Sequence, residues 1–191
     1  MLKFVDAAPT AVEFTPEPGD VAASLTPVDV EQIAQIFHTP LTGSYCWTYE
    51  EVDKRIRKLY RLGKERNWNA ETDLDWSRTF PTTQQPQVVG VGLNPYEGWD
   101  SFEALTDKQK TEFAWHNYAW TLSQFLHGEQ GALLVSSQLV SCAPSYDAKL
   151  YASSQTFDEA RHVEVFGQYL RDKVGITYPI NTHLKALLDK I

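Results

Sequence analysis

The run Asp158-Glu-Ala-Arg-His162 is the sequence feature that most constrains what this chain can fold into. It lies in the middle of a helical pattern from about Asp147 to Lys173. Glu159 and His162 are three residues apart, and on a helix this spacing places both side chains on one face, one turn from each other. The pair can therefore bind one metal ion together, or it can be an ordinary solvated pair at the surface of a helix.

A third ligand is predicted on the preceding helical pattern, which runs from about Thr106 to Ser141 and contains Glu129. Glu129 and Glu159 each lie 15 residues from Pro144, which breaks the pattern between them. In an antiparallel helical hairpin, both carboxylates would lie about 22 Å from the turn, at 1.5 Å per residue. The spacing therefore predicts that Glu129 joins Glu159 and His162.

The helix faces around these acids also favour an inward direction. A carboxylate on an apolar face is costly unless its charge is compensated, as a metal ion would do. Gly128 and Gly131 flank Glu129, and each costs a helix interior about 1 kcal/mol relative to Ala. Close approach of another backbone, or room beside a metal, would explain these two glycines. The helical neighbours of Glu129 are mostly apolar: Phe125, Leu126, Leu133 and Ser136.

The segment from Tyr151 to Phe166 resembles the first metal half-site of ferritin-like, carboxylate-bridged di-iron oxygenases. This group includes multicomponent monooxygenase hydroxylases and arylamine N-oxygenases. Their half-site has a Glu on one helix and an Asp-Glu-x-Arg-His run about 30 residues later, and here 30 residues separate Glu129 from Glu159. Residues 59–77 are similar to the segment that leads into the bundle, and the likeness extends over roughly Thr48 to Ile191.

The resemblance implies an all-α, ferritin-like helical bundle that binds iron. It implies that Glu129, Glu159 and His162 are iron ligands, with Glu159 in the bridging position. Asp158 matches an acid that orients the metal-bound histidine, and Arg161 matches a structural ion-pair residue.

The resemblance further implies a di-iron oxygenase, which activates O₂ to oxidise a small organic substrate and receives electrons from a separate reductase or ferredoxin. Two alternatives stay open, a ferritin-like iron-binding or ferroxidase protein and a non-catalytic bundle subunit. The wall of a substrate pocket is expected at four residues near the metal ligands: Gln155, Ala132, Leu133 and Phe166.

The chain departs from the family pattern after His162. The only later acids are Glu164, Asp172 and Asp189, the only later histidine is His183, and none of them forms a second Glu-x-x-His. We therefore expect the sequence to be the amino-terminal part of a longer protein. The alternative is a two-fold homodimer in which each chain lends one half-site.

Composition excludes several classes of partner. The formal net charge of −8 argues against nucleic acid. The sequence has no apolar run near the roughly 20 residues that a membrane span needs, and its first residues do not resemble a signal peptide. Two cysteines do not make a disulfide framework, so a reducing, cytoplasmic location is expected.

The chain divides into two predicted regions. Residues 1–47 form an extended, irregular arm with a short helix at 27–37, and residues 48–191 form the helical domain. Inside this domain, residues 80–100 are predicted to be a loop with one short strand at 88–91.

Local signals place the ends of the other helices. A capping box at Thr48 and Glu51 predicts a helix from Thr48 to Arg66, and a second box at Thr106–Gln109 begins the first long helix. Gly175 is the expected terminator of the second long helix, and Asn181 is the expected cap of a last helix.

Overall fold

The structure is a computed structural model, and it describes residues 39, 41–79, 81, 83, 86 and 95–190. Within these residues the chain forms helices and loops and no β-strand, which confirms the all-α prediction for this part. The short helix predicted at 27–37 and the strand predicted at 88–91 lie outside the described residues. The helices are α1 (Lys54–Glu65), α2 (Asp100–Glu103), α3 (Asp107–Cys142), α4 (Tyr146–Tyr169) and α5 (Thr182–Leu188), with a π-helical turn at Leu170–Val174.

Helices α3 and α4 form the antiparallel hairpin on which the rest of the described chain packs. The Thr106 side chain accepts a hydrogen bond from the backbone N–H of Gln109, and the Gln109 side chain accepts one from the N–H of Thr106, so the predicted capping box is confirmed. Ser145 caps α4 by accepting a hydrogen bond from the N–H of Ala148. The break at Pro144 therefore separates two independently capped helices.

The end of α4 is also as predicted. The helix continues into one π-helical turn, in which the N–H of Gly175 donates to the carbonyl of Leu170 over 2.8 Å. Gly175 has a φ of +75°, a left-handed conformation that favours glycine. Asn181 then caps α5 by accepting hydrogen bonds from the N–H groups of His183 and Leu184.

The predicted start of α1 is wrong. The helix begins at Lys54 rather than Thr48, and Asp53 is its cap, accepting hydrogen bonds from the N–H groups of Arg55 and Ile56. Glu51, the expected partner of Thr48, instead pairs with Arg61 at 2.5 Å.

Asp147 explains this difference. It is buried in the first turn of α4, and its Oδ2 accepts hydrogen bonds of 2.8 Å from the N–H groups of both Val52 and Asp53. Its Oδ1 accepts one of 2.6 Å from Nε of Arg57. Because a distant carboxylate takes these N–H groups, the chain before Lys54 stays non-helical and α1 is fixed against the start of α4.

Gly131 is explained by the packing of α5 against α3. A Cβ atom at Gly131 would lie 2.4 Å from Cδ2 of Leu188, so a larger residue would displace that side chain. Gly128 has nothing within 4 Å of the equivalent position. The expected close approach is therefore that of a side chain and occurs at Gly131 alone of the pair.

None of the helices in the described part of the chain has both the length and the apolar character needed to cross a bilayer.

Candidate metal centre

The side chains of Glu129, Glu159 and His162 converge between α3 and α4. Nδ1 of His162 lies 3.2 Å from Oε2 of Glu129 and 3.1 Å from Oε2 of Glu159. One possible ligand atom from each residue lies within 4.8 Å of the others. The three residues therefore form a candidate metal-binding group.

The register of the hairpin is held by aromatic pairs on the side of the cluster away from the turn. The rings of Phe125 and Phe166 lie 6.0 Å apart in an edge-to-face arrangement. Further along, the hydroxyl of Tyr118 donates to the hydroxyl of Tyr169 over 3.3 Å. Such pairs contribute about 0.5–1.5 kcal/mol beyond the area that they bury. They oppose slippage of one helix along the other, which would separate Glu129 from His162.

The cluster is half-buried and open on one side. The side chains of Glu129, Glu159 and His162 are 26%, 22% and 38% exposed. Burial raises the pKa of Glu159, and its hydrogen bond with the Glu129 carboxylate raises it further, whereas His162 opposes this. Two carboxylates so placed resist simultaneous ionisation unless a proton or a cation lies between them. A divalent cation would remove this repulsion.

The donor set fits a divalent transition metal. Carboxylate oxygen and imidazole nitrogen together are used by proteins to bind iron, manganese and zinc. Three protein ligands also leave coordination positions open for other molecules. The geometry is thus compatible with iron, and the donor types alone do not select iron over manganese or zinc.

Asp158 lies on the side of His162 that faces away from the other two acids. Its Oδ1 is 4.0 Å from Nε2 of His162, beyond hydrogen-bonding distance. The same oxygen pairs with the guanidinium of Arg161. The role of Asp158 in orienting the histidine therefore stays a prediction, with Asp158 placed next to the appropriate nitrogen.

Arg161 ties α4 to the segment that follows α1. Its side chain is only 10% exposed. It donates to Oδ1 of Asn67 and, over 3.0 Å, to the carbonyl of Trp68. Its guanidinium lies over the Trp68 ring, 4.4 Å from the ring centre. This agrees with the expected structural role, although most of its partners lie outside the motif.

The predicted pocket residues fall in different places. Gln155 lines an open cleft of about 640 Å³ between α1 and α4, and Glu159 lines the same cleft. A smaller depression on the other side of the cluster is lined by Glu129 and Phe125, among others. The remaining three predicted wall residues line neither of these two spaces and stay predictions: Ala132, Leu133 and Phe166.

The other histidines of α3 serve the loop before α5. Nδ1 of His116 lies 2.6 Å from the Tyr178 hydroxyl, and Nε2 of His127 lies 2.9 Å from the Tyr178 carbonyl. Gln124, which the sequence analysis missed, accepts a hydrogen bond from the N–H of Asn181 over 2.8 Å. Its position one turn from His127 on the same helix is the only local signal that could have indicated this.

The fold and the site define an all-helical protein with a candidate Glu/Glu/His metal-binding group. No protein-family model, no curated protein and no solved structure matches this chain. The family resemblance therefore stands on the residues of the motif, and the geometry of the cluster is an independent reason to expect a metal.

Proposed function

We propose that this chain is a di-iron oxygenase, in which Glu129, Glu159 and His162 hold iron and O₂ is used to oxidise a small organic substrate. The observation that carries the proposal is the convergence of two carboxylates and an imidazole from facing helices, with the imidazole 3.1–3.2 Å from both acids. A half-buried pair of acids is costly without a cation, so a scaffold would gain nothing from it.

Each residue of the chain has a distinct task in this proposal. Bound iron supplies the activation of O₂. Glu159 lies between Glu129 on the facing helix and His162 on its own helix, and this position suits a bridging carboxylate. Arg161 holds the loop at Asn67 and Trp68 against α4, which keeps Glu159 and His162 in place. Electrons would come from a separate reductase or ferredoxin.

A pair of irons needs more ligands than one such set provides. We propose that a second copy of the chain supplies a matching set across a two-fold axis. Two features support this arrangement. The cluster reaches the surface, and the neighbouring Phe125 is 54% exposed, which is unusual for a large apolar side chain beside a polar group. Light scattering on the iron-loaded protein is expected to give the mass of two chains.

Oxygen incorporation tests the proposed activity. The protein is loaded with ferrous iron under anaerobic conditions, then given ¹⁸O₂, a chemical reductant and a small aromatic substrate. We expect mass spectrometry to find ¹⁸O in the product with the wild-type protein and none with Glu159→Ala. Ferrous oxidation without labelled product would favour the ferroxidase alternative. Absence of bound iron would favour the non-catalytic bundle subunit.

A further inference from the structure

The cleft between α1 and α4 has the size of a small-molecule site. Its volume is about 640 Å³, within the roughly 300–1,000 Å³ that is typical of ligand sites. Glu159 forms part of its wall and also belongs to the metal cluster. A molecule in this cleft would therefore reach one of the candidate iron ligands.

One end of the cleft is positively charged, although the chain as a whole has a net charge of −8. Lys64 and Arg66 line this end. Three other cations of α1 are already paired with carboxylates, whereas Lys64 and Arg66 form no ion pair within the described part of the chain. Lys64 instead lies over the Tyr60 ring, with Nζ 4.8 Å from the ring centre. Two cations without acidic partners at the end of a cleft favour an anionic group there.

The neighbouring walls suit the rest of such a molecule. Asn67 accepts a hydrogen bond from Arg161 through Oδ1, which leaves its amide NH₂ available to donate. Leu59 and Phe157 are apolar wall residues, and they are 44% and 61% exposed. The cleft thus has a cationic end, a hydrogen-bond donor and an apolar wall.

The opposite end excludes long polyanions. Asp158 and Glu159 line it, and although Asp158 is paired with Arg161, the Glu159 carboxylate faces no cation of the protein other than His162. A ligand whose charge is confined to one end would avoid these acids. A nucleic acid chain, with charge along its whole length, would be repelled by them.

We infer that this cleft binds a small organic anion, with its anionic group at Lys64 and Arg66 and its apolar body directed towards Glu159. Binding itself follows from the cleft alone. The further statement that this anion is the substrate rests on the proposed function, because it requires iron at Glu159.

Calorimetry on the metal-free protein tests the binding. The probes are benzoate, phenyl phosphate and benzamide, which has nearly the shape of benzoate but no charge. We expect saturable binding of at least one of the two anions and at least tenfold weaker binding of benzamide. A preference for benzoate or for phenyl phosphate would identify the anionic group as carboxylate or phosphate.

Variants of α1 locate the site. We expect Lys64→Ala to weaken binding of the preferred anion about five- to tenfold, the size of one charge interaction at a partly exposed site. Lys64→Arg, which keeps the charge, should retain most of it. Lys58→Ala is the matched control, because Lys58 lies on the same helix and does not line the cleft. Circular dichroism melting shows whether each variant is folded.

The inference is overturned if neither anion binds to the folded protein, if benzamide binds as tightly as the anions, or if Lys58→Ala and Lys64→Ala weaken binding equally. These outcomes differ from a failure of the proposed function. Loss of iron binding or of oxygen incorporation would leave the metal-free affinities for the anions unchanged.

Discussion

Nδ1 of His162 lies 3.2 Å from Oε2 of Glu129, although 33 residues separate the two in sequence. The contact exists because α3 and α4 run antiparallel and their ligands lie at matching distances from the turn at Pro144. A site built this way depends on the register of two helices, so contacts that fix the helices matter as much as the ligands.

Asp147→Asn is expected to lower the stability of the folded protein at neutral pH. The backbone N–H of Asp53, with the N–H of Val52 and the guanidinium of Arg57, holds the pKa of Asp147 below its ordinary value of 3.8. A carboxylate with a lowered pKa contributes stability above its unfolded pKa and loses it as the pH falls through its folded pKa. Urea unfolding of both proteins at pH 7 and pH 3 measures this.

The stability difference between wild type and Asp147→Asn should therefore be largest at pH 7 and should shrink below pH 3.8. A difference that is the same at both pH values would show that the charge of Asp147 does not contribute to holding α1 against α4.

Gly128→Ala is expected to stabilise the protein by about 0.5–1 kcal/mol, because Ala is the better helix former and the new methyl group meets nothing within 4 Å. Gly131→Ala is the matched comparison on the same helix. There the gain is offset, because the Leu188 side chain must move to make room. Thermal or urea unfolding should rank Gly128→Ala above Gly131→Ala, and the reverse order would contradict the packing of α5 on α3.

Arg161→Met is expected to reduce the free energy of unfolding by about 2–4 kcal/mol. The substitution removes charged hydrogen bonds to Asn67 and Trp68 and leaves buried acceptors without a donor. Arg171→Met is the control, since Arg171 is exposed and pairs only with its neighbour Asp172. Equal, small effects in the two variants would show that Arg161 does not anchor the segment after α1.

Local sequence signals predicted much of this fold. The capping box at Thr106, the terminator Gly175 and the cap Asn181 act within a few residues, so they can be recognised without knowledge of the tertiary structure. The metal cluster was also predictable, because in a helical hairpin equal distances from the turn translate into proximity.

The failures involve contacts between distant segments. The box at Thr48 is locally sound, but Asp147, about 95 residues away, takes the N–H groups of Val52 and Asp53 and moves the start of α1 to Lys54. No local pattern announces such a partner. The same holds for the dual partners of Arg161, which belong to the loop after α1 rather than to the motif.

Iron per chain tests the central claim most directly. The protein is incubated with ferrous iron under anaerobic conditions, freed of unbound metal and analysed for iron, alongside Glu159→Ala and Glu164→Ala. Glu164 is the control, as an exposed acid on the same helix. We predict that the wild-type protein and Glu164→Ala retain about equal iron and that Glu159→Ala retains almost none. Equal iron in all three proteins would contradict a metal site at Glu129, Glu159 and His162.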